Sequence, residues 1–352
     1  MYTLIMLLLL SSSVYAQESQ IKAIPATGQM FGLELSPDEQ TIAIFENTAL
    51  HMDEIIDDYL PIRLINLADG SQKAAFTGAT DYATDVAFAP DGTVAASYHS
   101  NGYIYLWDTA DGSTIKRIDA IPGSGSLQFL PDGKQLAVVL NGSLGQILLW
   151  DTETGYVQHI FMQRFATIAE WKDLNFRGTG GPEYYSGFDV KPDGSRAAVV
   201  TGHGNIWLWD FASGEDRLIR QSGEEAPRFN IRNLSFSPDG DSLVYLNIDE
   251  DIINVLDIEM GSETPIVSAP DALEFGVSPD GTMVAWITEE AVFVSPLQAD
   301  ADPQAFELPL PDNFRVGGPQ LFMKFTSDNS QLIVGGFANV NSGDNLIYVI
   351  TL

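Results

Sequence analysis

One turn recurs along this chain and limits what it can fold into more than any other feature. It reads Ser36-Pro37-Asp38-Glu39, Ala89-Pro90-Asp91-Gly92, Leu130-Pro131-Asp132-Gly133 and Lys191-Pro192-Asp193-Gly194. It continues as Ser237-Pro238-Asp239-Gly240, Ser278-Pro279-Asp280-Gly281 and a degenerate Thr326-Ser327-Asp328-Asn329. Proline presets φ for a turn, aspartate can accept a bond from the backbone ahead, and glycine tolerates positive φ. Most copies follow a short apolar-containing strand such as Asp85-Val86-Ala87-Phe88. Each precedes another, such as Val94-Ala95-Ala96-Ser97. A turn repeated seven times between short strands predicts an all-β repeat architecture, and no stretch between breakers is long enough for a helical domain.

A second element follows the turn in three clear copies. They are Gly102-Tyr103-Ile104-Tyr105-Leu106-Trp107-Asp108, Gly145-Gln146-Ile147-Leu148-Leu149-Trp150-Asp151 and Gly204-Asn205-Ile206-Trp207-Leu208-Trp209-Asp210. Weaker copies end at Asn66-Leu67 and at Asp257. With these residues the chain resembles the WD-repeat family over nearly all of its length. The resemblance implies a seven-bladed β-propeller of four-stranded antiparallel blades. It also implies that Trp107, Asp108, Trp150, Asp151, Trp209 and Asp210 are structural, the tryptophans packing between blades. Successive turn aspartates lie 53, 41, 61, 46, 41 and 48 residues apart. Against a family period of about 40–45, the long intervals locate insertions. The family's Gly-His dipeptide is missing from its usual place, and Asn101, Leu144 and His203 stand where a structural aspartate is usual.

Each repeat reads as strand a, the Pro-Asp-Gly turn, strand b, strand c with Trp-Asp, and an outer strand d. The seventh copy has no strand d before Leu352, and the stretch around Ile21 to Ile24 is expected to supply it. That pairing would close the ring and remove an exposed sheet edge.

Residues 1–16 read as a secretory signal: an apolar run from Leu4 to Leu10, then Val14 and Ala16 at the small-residue cleavage positions. The mature chain, 17–352, would then be a single propeller, secreted or periplasmic. The apolar run is too short to span a bilayer, and no other stretch resembles a span. The 352 residues contain no cysteine, so neither disulfides nor thiolate metal sites are available. Seventeen Lys+Arg against 48 Asp+Glu give a formal net charge of −31. A surface of that sign repels phosphate backbones and anionic membranes, which argues against nucleic-acid binding.

Catalytic signatures are lacking: there is no serine elbow, no phosphate-binding loop and no H-E-x-x-H. No cofactor or metal is expected. Three of the four histidines, His51, His99 and His203, read as b–c loop residues on one face, with His51 in an acidic insertion beside Asp53, Glu54, Asp57 and Asp58. The b–c insertion Asn47 to Tyr59 and the d–a insertion Phe165 to Ser186 would emerge on that same face, where loops on a rigid scaffold carry function.

That face also gathers positive charge. Asn175-Phe176-Arg177 leads into Gly180-Gly181-Pro182, and Asn313-Phe314-Arg315 leads into Gly317-Gly318-Pro319. A related Arg228-Phe229-Asn230-Ile231-Arg232 precedes the fifth repeat, and nine of the seventeen basic residues fall between Arg164 and Arg232. The sequence thus points to a non-catalytic scaffold that binds a protein, peptide or anionic ligand. Arg177, Arg232 and Arg315 would bind it, flanked by Phe176, Phe314, Trp171 and Tyr184. Two other readings are a metal-dependent hydrolase of propeller type, using the His51 loop with His99, and a periplasmic propeller of an envelope complex.

Overall fold

The computed structural model describes residues 21–26, 30–46, 61–141, 146–162, 185–223, 230–311, 314–316, 321–339 and 345–352. The b–c insertion at 47–60 and most of the d–a insertion, 163–184, lie outside the described residues. Among the described residues there are 29 strands and no helix.

Six blades follow the repeats in chain order. The first is β2 Met30–Leu35, β3 Thr41–Glu46, β4 Ile62–Asn66 and β5 Gln72–Phe76, and the second β6 Ala83–Phe88, β7 Val94–His99, β8 Tyr103–Asp108 and β9 Thr114–Asp119. The third is β10 Ser124–Phe129, β11 Gln135–Asn141, β12 Gln146–Asp151 and β13 Val157–Met162, and the fourth β14 Tyr185–Val190, β15 Arg196–Thr201, β16 Ile206–Asp210 and β17 Asp216–Arg220. The fifth is β18 Ile231–Phe236, β19 Ser242–Asn247, β20 Ile252–Asp257 and β21 Glu263–Ser268, and the sixth β22 Glu274–Val277, β23 Met283–Ile287, β24 Ala291–Pro296 and β25 Gln304–Glu307. Each is an antiparallel meander.

The seventh blade takes β27 Phe322–Phe325, β28 Gln331–Asn339 and β29 Asn345–Thr351 from one end of the chain and β1 Ile21–Ala26 from the other. β1 pairs antiparallel with β29, Ile21 opposite Ile350 and Ile24 opposite Ile347. The expected closure is therefore present. Ile24 packs with Leu33, Leu35, Ile42, Ile333 and Ile347 between the seventh and first blades. A short additional strand, β26 Phe314–Val316, pairs with the end of β28, Phe314 opposite Asn339. Phe314 and Arg315 of the second Asn-Phe-Arg copy are thus built into the seventh sheet as part of a fifth strand rather than a plain connection.

The turns explain the motif. The aspartate of every Pro-Asp-Gly copy accepts the backbone N–H two residues on, from Asp38 to Gln40 through Asp328 to Ser330, at 2.9–3.1 Å. The residue after it is left-handed in all seven: Gly92, Gly133, Gly194, Gly240 and Gly281 where the motif is complete, Glu39 and Asn329 where it is degenerate. The Trp-Asp aspartates do the same for the c–d turns, Asp108 accepting Ala110 N–H at 2.7 Å and Asp151 accepting Thr154 N–H at 2.7 Å.

Neighbouring blades meet through apolar faces, and the innermost strands β2, β6, β10, β14, β18, β22 and β27 touch in sequence all the way round. At the rim, strand d carries a cation that caps carbonyls of the next blade's c–d turn. Lys22 bonds Leu67 and Ala68, Lys116 bonds Thr152 and Glu153, and Arg217 bonds Ile258.

Candidate functional site

Strand direction defines two faces. The a–b and c–d turns form the lower face, and the b–c and d–a connections form the upper one. Between the mouths runs a central channel of about 610 Å³, walled by the innermost strands.

Each innermost strand is a sheet edge, so half of its N–H groups point away from any ladder and need other acceptors. Channel side chains supply them. Asp85 accepts Val86 N–H at 2.9 Å and, in the next blade, Leu127 N–H at 2.7 Å. Gln128 accepts Val190 N–H at 3.0 Å. Asp189 accepts Val190 N–H at 2.9 Å, Phe236 N–H at 2.8 Å and the Gln128 amide at 3.1 Å. Asn233, left-handed at φ 50°, donates to Glu274 at 3.3 Å, and Glu274 also accepts Phe275 N–H at 2.9 Å. Lys324 and Glu34 form an ion pair of 2.6 Å between the seventh and first blades. Asn233, the start of an Asn-x-Ser sequon, is thus engaged in the channel wall.

These carboxyl groups are half-buried by surface area yet enclosed by the wall, and enclosure governs their ionisation. Burial pushes Asp85 up to about 7, with Glu34 adding to the rise and the two N–H bonds opposing it. Burial likewise raises Asp189 and Glu274.

The three repeat tryptophans lie between blades, fully buried. Trp107 stacks on Phe76 of the first blade, centroids 5.5 Å apart and planes 10° from parallel. Trp150 joins the cluster of the second and third blades with Ala96 and Leu106, and Trp209 that of the third and fourth with Leu130 and Val139. Among the described residues the indole N–H groups of Trp107 and Trp150 have no acceptor. Asn101, at the usual aspartate position, donates to Thr80 at 3.1 Å.

His99 is not a loop residue. It ends β7, is 1% exposed, and lies between Phe76 and Tyr105. One ring nitrogen is 2.9 Å from Ser97 Oγ and the other 2.8 Å from the Asp81 carbonyl oxygen. Burial pulls its imidazole down to about 4, against the opposing pull of Asp81. With both nitrogens occupied inside the core, His99 is not disposed to ligate a metal. His203 is half-buried in the b–c turn of the fourth blade, and His51 and its acidic neighbours lie outside the described residues. Among the described residues no three His, Asp or Glu side chains are grouped to hold a metal ion.

Of the ligand-binding residues read from the sequence, Arg232 is described. It is exposed at the upper end of β18 and donates to the Leu273 carbonyl of the next blade at 3.3 Å. Phe314 and Arg315 belong to β26, paired with Asn339 and Ala338. Trp171, Phe176, Arg177 and Tyr184 lie outside the described residues.

Comparison with known proteins agrees with this geometry. Residues 70–108, from the outer strand of the first blade to the Trp-Asp of the second, match the family model "WD domain, G-beta repeat". The chain is similar to WD repeat-containing protein 1 of Rattus norvegicus, 27% identical over an alignment of 192 residues that covers 46% of this chain and 32% of that protein. It is also similar to WD repeat-containing protein SL1-17 of Schistosoma mansoni, 28% identical over 171 residues, 48% of each chain. The matches thus span from about a third to about a half of these relatives' own length. Among solved structures, the β-propeller domain of Cps50 (Swd1) from Myceliophteria thermophila superposes with a TM-score of 0.68 at 12% identity, covering 94% of this chain and 98% of that one.

The chain is a seven-bladed β-propeller that carries a WD repeat at residues 70–108. WD-repeat propellers are typically protein-interaction scaffolds and generally non-catalytic. The channel girdle of this propeller was not foreseen from the sequence. Counted back from the turn proline or its equivalent, Glu34, Gln128, Asp189 and Lys324 stand three residues before it and Asp85, Asn233 and Glu274 five before it. Both positions point into the wall, but neither the spacing nor the residue type repeats from blade to blade. Among the described residues no helix is long and apolar enough to cross a membrane.

Proposed function

We propose that the protein is an exported, non-catalytic scaffold that binds an anionic ligand or an acidic segment of a protein partner on its upper face. Arg177, Arg232 and Arg315 are the binding groups, with Phe176, Phe314, Trp171 and Tyr184 beside them. The observation that carries this reading is Arg232, an exposed residue at the upper end of the innermost strand β18, in a chain of net charge −31. Its bond to Leu273 O fixes its position while the residue stays exposed. The planar arginine fork suits carboxylate or phosphate groups, and several around one mouth would focus an anion there despite the overall charge. Export rests on the signal-like residues 1–16.

The test is affinity capture from the native extracellular fraction by the wild type, by Arg177→Ala/Arg232→Ala/Arg315→Ala, and by Lys134→Ala on the lower face. The expected result is loss of capture in the triple variant alone, with melting temperatures nearly unchanged. Capture that persists in the triple variant, or a collapse of its stability, would make the arginines braces.

A further inference from the structure

The channel wall links blade to blade by side chains that alternate in kind. Carboxyl groups stand in the second, fourth and sixth blades, as Asp85, Asp189 and Glu274. Amides stand in the third and fifth, as Gln128 and Asn233, and one ion pair, Lys324 with Glu34, closes the seventh to the first. Three of these links run to backbone N–H groups of the adjoining innermost strand.

The charges facing this ring are unbalanced. Around Asp85, β2 brings Glu34, β7 brings His99, β10 brings no charged residue, and Lys324 of β27 acts on it across the lumen. Around Asp189, β10 and β11 bring none, β15 begins with Arg196 at the lower end, β18 brings Arg232, and Lys324 acts on it across the lumen. Around Glu274, β19 and β23 bring none, β18 brings Arg232, and β27 brings Lys324. Lys324 is already paired with Glu34. Four carboxyl groups therefore share one enclosed lumen of about 610 Å³ with a single lysine, and Glu39 adds a fifth near the lower mouth. Like charges in such a space resist simultaneous ionisation.

We propose that this girdle is a proton-linked seam, in which ionisation of Asp85, Asp189 and Glu274 at rising pH weakens the ring and reprotonation tightens it. An acid held above its unfolded value adds stability that is present below the unfolded value and is lost as pH rises through the folded one. For Asp85 that window runs from about 4 to about 7 and tails off near 8. His99 acts in the opposite sense: with an unfolded value of about 6.5, it lowers the unfolding constant by about fourfold between pH 6 and 8. The Asp85 change in that interval is therefore read as wild type against an Asp85 variant. A midpoint of about 7 at Asp85 raises the unfolding equilibrium constant by about tenfold at most across that interval.

The test is urea unfolding of the full chain at pH 6 and pH 8, for the wild type and for Asp85→Asn, which keeps an oxygen for the Leu127 N–H. The expected result is that the ratio of the pH 8 to the pH 6 unfolding constant is several-fold larger in the wild type than in Asp85→Asn, in which His99 acts unchanged. Ratios that agree within twofold would overturn the proposal. Carbon-13 titration of the wild-type aspartate carboxyls covers the case in which the variant fails to fold. A resonance titrating near neutral pH supports the seam, and titration of every aspartate below pH 5 overturns it.

Discussion

Trp107 offers the sharpest test of how the blades are held together, because its environment separates two effects of one side chain. The ring is fully buried and stacks on Phe76 of the preceding blade at 5.5 Å. Trp107→Ala removes that volume from a close-packed seam, which costs about 3–5 kcal/mol. The lost aromatic pair is part of that cost, about 0.5–1.5 kcal/mol. The indole N–H works the other way, since a buried donor without an acceptor costs about 1–3 kcal/mol. Trp107→Phe keeps the stack and most of the volume while removing the orphan donor. Its loss of packing is then largely offset, and the net change should fall within about 1 kcal/mol of zero. Urea unfolding monitored by far-ultraviolet circular dichroism of both variants gives the comparison. If Trp107→Phe costs as much as Trp107→Ala, the N–H is satisfied in solution and the reasoning fails.

The other predictions concern the closure, the turns and the core histidine. Ile24→Ala at the ring closure should cost about 2–4 kcal/mol, whereas Ala23→Ser on the exposed side of β1 should stay within about 0.5 kcal/mol; equal melting temperatures would mean that β1 does not close the ring. Gly92→Ala should cost about 1–2 kcal/mol for its left-handed backbone alone, since the added Cβ would rest 3.7 Å from Pro37. Gly112→Ala should cost clearly more, because its Cβ would overlap the Ala75 carbonyl of the neighbouring blade. The reverse order in thermal melts would be inconsistent with the interblade contact. The neutral imidazole of His99 contributes stability that is present above about pH 6.5 and lost as pH falls through about 4, up to about 3 kcal/mol. His99→Gln should remove that part of the acid dependence, and a variant with an unaltered acid limb would show that His99 titrates normally.

The blade count and the closure were legible because both depend on local backbone chemistry. A turn needs Pro, Asp and a left-handed residue at fixed spacing, and a ring needs a partner for its last strand. Even the degenerate copies obeyed this, with Glu39 and Asn329 taking the left-handed position that glycine holds elsewhere. The channel girdle was illegible because most of it satisfies strand-edge N–H groups, which a carboxylate or an amide can do equally well. His99 was misread for a related reason. A polar Ser-Tyr-His-Ser run resembles a loop in sequence, but Ser97 and Asp81 satisfy the imidazole and allow β7 to continue into the core. Strand β26 was hidden because its pairing depends on the length of β28, a tertiary feature with no local signal.

A binding scaffold that works through its upper face makes a claim that one footprint can decide. Hydroxyl-radical footprinting of the full chain, alone and with its captured partner, reads side-chain protection around both mouths and the rim. The account predicts protection at the upper face, at Arg232, at Asn101 and His203 in the b–c turns, and at Phe314. It predicts unchanged reactivity at Pro90, Pro131 and Pro238 in the lower turns and at Ile115, Ile160 and Met260, which are exposed in or beside the outer strands. Protection confined to the lower turns or to the outer strands would contradict it.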